Sequence, residues 1–154
     1  MGNLLTRLAE HWRTHGAEPG AGAPEAEIAA FEARHGVRLP RELREYFATL
    51  NGLAHGRDDM TDEPIGFWRV VEVAPIAQEA PDAGIPAPER CFVIADYLIG
   101  SHFYVARLPE DPAAAAEMLW VWRDGFGVLA PSFAEFLERY MASDEAVLYG
   151  FGIV

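Results

Sequence analysis

The chain has 154 residues, 24 acidic and 12 basic side chains, a formal net charge of -12 and one cysteine, Cys91. This length suits a single domain, 1–154, able to bury about 70% of its unfolded surface without a disulfide or metal staple. Every base is an arginine and acids are in twofold excess, so nucleic acid and anionic membrane are disfavoured partners and a basic protein is a favoured one.

Leu4, Leu5, Leu8 and Trp12 recur at helical spacing and predict an amphipathic helix over residues 3–15, ended by Gly16. Gly16 to Ala23 (GAEPGAGA) reads as a flexible linker. Residues 1–23 therefore look like an extension to the domain. A second helix is expected from about Pro24, with Glu25 and Glu27 favourable in its first turn, Ile28 and Phe31 facing inward, and Gly36 as its stop. Pro40 opens a third helix, in which Leu43, Phe47 and Leu50 face the core and Asn51-Gly52 ends the run.

The period then changes. Phe67 to Val73, Cys91 to Ala95, His102 to Leu108, Leu119 to Trp122 and Phe126 to Ala130 read as strands, with Arg123-Asp124-Gly125 as a hairpin turn whose glycine takes positive φ. Pro-rich connections leave no room for regular crossover helices, so an antiparallel meander is expected. Ser132-Phe133-Ala134-Glu135 is a capping box opening a last helix with Phe133, Phe136, Leu137 and Tyr140 on its apolar face. Ser143 is read as the cap of the tail. The tail itself, Ala146 to Val154, is apolar and must pack on the body or on a partner.

No catalytic constellation emerges. There is no G-x-S-x-G elbow, and Ser101 and His102 are strand neighbours pointing to opposite faces. Cys91 opens an apolar strand and reads as a small hydrophobe. His11 and His15 have chelating spacing on one helix but lack a third ligand of matching pattern. Asp58, Asp59, Asp62 and Glu63 crowd one loop without the calcium-loop pattern. Gly125-Phe126-Gly127 opens no helix, and a chain without lysine has no Walker lysine. Trp120 and Trp122 share one strand face, with Trp68 and Tyr104 expected on neighbouring strands, a pattern that suits core packing. No enzyme activity, cofactor or metal site is expected. No apolar run reaches the ~20 residues of a membrane span, and Met1 to Trp12 lacks the apolar core of a signal peptide. A cytoplasmic location is the expectation.

The charge is unevenly placed. Residues 1–57 hold seven Glu and seven Arg, residues 58–124 hold thirteen acids against four Arg, and residues 125–154 hold four acids against one Arg. The whole surplus lies in the last two-thirds. The candidate partner-binding residues are the loop acids Asp58, Asp59, Asp62 and Glu63, with Asp82, Glu110 and Asp111 on other loops, acting through electrostatic complementarity and fast capture.

An ordered set of motifs carries a resemblance. Phe31-Glu32-Ala33-Arg34-His35-Gly36-Val37-Arg38-Leu39-Pro40, then Leu43, Tyr46-Phe47 and Asn51-Gly52, resembles the opening of the SUKH superfamily. Phe67-Trp68-Arg69-Val70, Phe92-Val93-Ile94-Ala95-Asp96, His102-Phe103-Tyr104-Val105 and Ser132-Phe133-Ala134-Glu135-Phe136-Leu137 resemble its later strands and closing helix. The resemblance runs from about Pro24 to Met141. It implies an α+β fold, an antiparallel sheet flanked by N-terminal and C-terminal helices. It also implies a non-enzymatic module: an immunity protein that sits in the cytoplasm of a toxin-producing bacterium and neutralises a cognate polymorphic toxin, commonly a nuclease, by direct contact. The alternative is a general intracellular scaffold or regulatory domain unrelated to toxins. Gene neighbourhood separates the two.

Overall fold

The computed structural model describes residues 1–56, 64–98 and 100–149. Helix α1 (Gly2–Thr14) turns Leu4, Leu5, Leu8, Ala9 and Trp12 to the interior. The next two helices, α2 (Glu25–His35) and α3 (Arg41–Thr49), each begin just after a proline. Pro24 and Pro40 sit one position earlier than the first turn, as the flanking residue, where an extended backbone suits the fixed proline φ. Gly36 closes α2 in the left-handed region at φ 64°.

Strands β1 (Ile65–Phe67) and β2 (Ala74–Pro75) both pair with the same edge of β3 (Cys91–Tyr97). The sheet continues through β4 (His102–Arg107), β5 (Glu117–Trp122) and β6 (Gly125–Ala130), antiparallel throughout. A short helix, α4 (Ile76–Glu79), follows β2. Two more, α5 (Phe133–Met141) and α6 (Glu145–Tyr149), close the described chain. Ser132 Oγ accepts from the Glu135 N–H at 3.1 Å, as the capping pattern predicts. The cap expected at Ser143 is instead Asp144, whose Oδ1 accepts from the Ala146 N–H at 2.8 Å. Ser143 takes φ 58° and turns the chain between the two helices.

The strand expected over Phe67 to Val73 breaks after Phe67. Trp68 N–H reaches the Ile94 carbonyl at 2.9 Å, and the chain then leaves the edge in a tight turn, with Glu72 N–H and Val73 N–H both on the Arg69 carbonyl. Asn51 holds this excursion: its Oδ1 accepts from the Val70 N–H at 2.7 Å. Gly52 passes so close to the same segment that a Cβ there would stand 2.6 Å from the Trp68 carbonyl oxygen. The β5–β6 hairpin is where the sequence places it, with Trp122 opposite Gly125. Gly125 is not among the positive-φ residues; it is small because the Trp122 ring covers it, 2.6 Å from where a Cβ would be.

Both faces of the sheet are covered. On one, Phe92, Ile94, Tyr104, Ala106, Met118 and Trp120 join the apolar faces of α1, α2, α3 and α5 in one cluster. On the other, Cys91, Val93, Phe103, Val105, Leu119 and Val121 lie against Trp68, Ile76, Ala80, Ala83 and Ile85. The Pro-rich connection is thus a lid on the second face. This accounts for strands that read as continuous apolar runs rather than alternating ones.

The Gly-rich stretch 16–23 differs from its sequence reading. It is a strap, not a free linker: Pro19 bridges Leu53, Gly20 N–H bonds the Gly52 carbonyl at 2.8 Å, and Ala23 N–H bonds the Phe47 carbonyl at 2.8 Å. Gly20 and Gly22 lie against the carbonyls of Leu50 and Ala48 with no space for a Cβ. The strap ties α1 to the body. Trp12 Nε1 donates to the Tyr140 hydroxyl on α5 at 3.2 Å, and Arg7 pairs with Glu138.

Tyr46 is fully buried against Phe47 and Phe133, with ring centroids 4.9 and 4.8 Å away, yet its hydroxyl has no hydrogen-bond partner among the described residues. Burial alone pushes its pKa up. Removing an unsatisfied buried hydroxyl relieves its desolvation cost, so Tyr46→Phe is expected to raise stability by about 1 kcal/mol. Urea unfolding checks this, and a loss of stability would show that the hydroxyl is bonded.

Candidate functional site

Several polar residues that carry the family resemblance are occupied inside the fold. Glu32 Oε2 accepts from the Leu39 N–H at 2.8 Å and its Oε1 from Arg44 at 3.1 Å, fixing the turn between α2 and α3. Asn51 holds Val70 as described. Trp68 Nε1 donates to the buried Asp96 at 3.1 Å, clamping the edge excursion to β3. Tyr104 donates its O–H to the Val147 carbonyl at 2.5 Å, fastening α6 to the sheet. Each bond satisfies a group that burial would otherwise strand.

Next to Tyr104 lies an aromatic cluster on the same sheet face. Tyr97 stacks on His102 at 4.6 Å with 12° between planes, His102 meets Trp120 at 4.6 Å, and Trp120 meets Trp122 at 4.3 Å. Trp120 is buried and Trp122 half-buried. Trp68, expected on a strand neighbouring that of Tyr104, lies just past β1 and packs in the cluster on the opposite face. His102 Nε2 lies 3.1 Å from the Tyr104 oxygen. Because the Tyr104 proton goes to Val147, Nε2 is the donor, which places a proton on Nε2. Burial pushes the His102 pKa down to about 4.

That depression has a pH consequence. The unfolded ring protonates near pH 6.5 and the folded one only near 4, so the unfolded state binds the proton first as pH falls. The stabilisation is complete above pH 6.5, is lost between 6.5 and 4, and is flat below. With solvent screening the loss is about 2 kcal/mol. His11 and His35, also lowered by burial, act in the same direction. The difference between wild type and His102→Phe isolates the cluster: the variant should show a shallower loss across that window in urea titrations. Equal slopes would refute the assignment.

The candidate acids fall in separate places. Asp58, Asp59, Asp62 and Glu63 lie outside the described residues. Asp82 is exposed on the lid over the second sheet face. Glu110 and Asp111 are exposed on the β4–β5 loop, where Asp111 Oδ1 also accepts from the Ala113 N–H at 2.9 Å. Cys91 is buried and burial raises its thiol pKa, the opposite of an activated nucleophile. The His11 and His15 rings are 4.3 Å apart, but His15 Nδ1 bonds the His11 carbonyl at 2.8 Å. Among the described residues no three His, Cys, Asp or Glu side chains are grouped as a metal site, and no helix is long and apolar enough to cross a membrane.

One feature escaped the sequence reading. Arg38, Arg41 and Arg44 line a groove of about 600 Å³ between the α2–α3 pair and Pro112-Ala113 of the β4–β5 loop. The signal was present as arginines at every third position across the Pro40 break. It was hidden by the zero net charge of residues 1–57.

The architecture is α+β: an antiparallel sheet with α1, α2, α3 and α5 packed on one face and the short α4 in the lid on the other. A family model, SMI1 / KNR4 family (SUKH-1), matches residues 22–139, and the chain belongs to that family. Membership supports an immunity-protein-like module in general. No curated protein matches the chain.

Proposed function

We propose that this chain is a cytoplasmic immunity protein that neutralises a cognate toxin of a polymorphic toxin system by direct contact, and that the toxin is a basic, nuclease-type protein. One observation carries the reading. The buried and half-buried polar groups of the family motifs at Glu32, Asn51, Asp96 and Tyr104 are engaged internally, holding the fold. What remains for function is the exterior, and it carries the acid surplus. Asp58, Asp59, Asp62, Glu63, Asp82, Glu110 and Asp111 supply the attraction, which governs association rate and specificity more than affinity. The test is co-expression with the toxin domain encoded beside this chain, scoring rescue of growth and co-purification. Toxicity unrelieved by a soluble copy would refute the reading. The association rate with that toxin should fall with rising salt, and Asp82→Lys with Glu110→Lys should slow it. Asp111 is left intact in that variant because its carboxylate also holds the loop turn. A rate indifferent to salt would remove the acids from the interface.

A further inference from the structure

We propose that the groove between α2–α3 and the β4–β5 loop is a docking site for an acidic segment of a protein partner, with Arg38 and Arg41 as its carboxylate receptors. The inference rests on the reading of the chain as a protein-binding module and adds to it a contact of opposite sign to the acidic loops. The first observation is a clustering: Arg13, Arg34 and Arg123 are also exposed without a carboxylate partner among the described residues, but they do not line this groove. Acids outnumber arginines two to one. Arg7, Arg44, Arg69 and Arg107 each have a carboxylate partner. Arg38 and Arg41, exposed and lining one groove, have no carboxylate or carbonyl partner among the described residues. The protein could have neutralised them with its own surplus, and it does not.

The second observation is that the wall carrying them is tied together by its own contacts. Arg44 is held by Glu25 at 2.6 Å and by Glu32 at 3.1 Å, and Glu32 in turn holds the Leu39 N–H. The charge of Arg44 is thereby used internally, and its geometry fixes the start of α3. A binding wall ordered beforehand loses less freedom on association. Arg41 is also the first residue of α3, whose flanking Pro40 offers no side-chain cap, so the positive end of the helix dipole adds to the attraction for an anion.

The third observation selects the class of anion. The groove is lined not only by arginines but by Leu39, Ala48, Pro112 and Ala113, and its size falls in the usual range for small binding sites. A long polyanion would have to cross the remaining surface of a molecule with net charge -12. A short acidic peptide with intervening apolar residues meets both the arginines and the apolar wall. Glu45, one helical turn beyond Arg41, also lines the groove, with no ion-pair partner among the described residues. It limits the acidic stretch of the ligand and sets its direction.

The test uses the full chain and needs no toxin, so its failure is distinct from failure of the immunity reading. A fluorescein-labelled peptide of alternating glutamate and leucine is titrated with the protein and followed by anisotropy at low salt. Saturable binding is expected, weakened at least about tenfold by Arg38→Glu with Arg41→Glu, and also by replacing the peptide's glutamates with glutamine. The milder pair Arg38→Gln with Arg41→Gln should weaken it in the same direction, with thermal melts confirming that all variants fold. Arg123→Glu, on the exposed β5–β6 turn, should leave it unchanged. Absence of saturable binding, equal loss with Arg123→Glu, or tighter binding of an oligothymidine strand than of the acidic peptide would overturn the proposal.

Discussion

Trp12→Ala is expected to lower unfolding stability by about 3–5 kcal/mol, the usual cost of emptying a large buried aromatic site. Trp12 is fully buried. Its ring centroid lies 5.0 Å from that of Phe67, and its Nε1 reaches Tyr140 on α5. It therefore joins the first helix to the first strand and to the closing helix, three elements far apart in the chain. The Arg7–Glu138 pair links the same two helices on the surface. Arg7→Ala should cost well under about 1 kcal/mol, because solvent screens an exposed pair. Urea unfolding of the two variants compares them directly. A loss below about 1 kcal/mol for Trp12→Ala would mean that α1 is an attachment rather than part of the folding unit.

Gly22→Ala should cost about 2–4 kcal/mol, while Gly16→Ala should cost only about 1 kcal/mol. Both glycines have positive φ, 89° and 80°. They differ in surroundings. A Cβ on Gly16 meets nothing within 4 Å, whereas on Gly22 it collides with the Ala48 carbonyl oxygen, a backbone atom that cannot swing aside. The pair thus separates intrinsic backbone strain, present at both sites, from the close passage of the strap, present at one. Similar midpoints for the two variants in thermal melts would show that residues 16–23 are as loose as their composition suggests.

How much of this was legible follows from which signals are local. The four main helices were readable because apolar spacing and flanking Pro, Ser and Gly residues are written within a dozen positions. Strands β3 to β6 were readable as apolar runs. The Gly-rich strap was misread because composition reports freedom in an unfolded chain, and only the partner backbone at Leu50 and Ala48 reveals that the glycines are there for proximity. The break after Phe67 was invisible for the same reason: its cause is Asn51, distant along the chain but hydrogen-bonded to Val70. Gly125 reads as a turn glycine in the sequence, but it opens β6 opposite Trp122, whose ring rather than φ excludes a side chain. The candidate acids were found by counting, and counting has no geometry. It names Asp82 and Glu110 on separate loops without relating them in space; they lie on the lid and on the β4–β5 loop. It also cancelled Arg38, Arg41 and Arg44 against glutamates, although two of those arginines line a groove without a carboxylate partner among the described residues.

The internal engagement of Glu32, Asn51, Trp68 and Tyr104 separates two jobs that many proteins combine in the same side chains. Here the instructions for folding are kept indoors, and the outer shell can be rewritten loop by loop without disturbing them. On the proposed immunity reading, exchanging a handful of exterior charges would re-aim such a scaffold at a different target, with its folding stability left nearly intact.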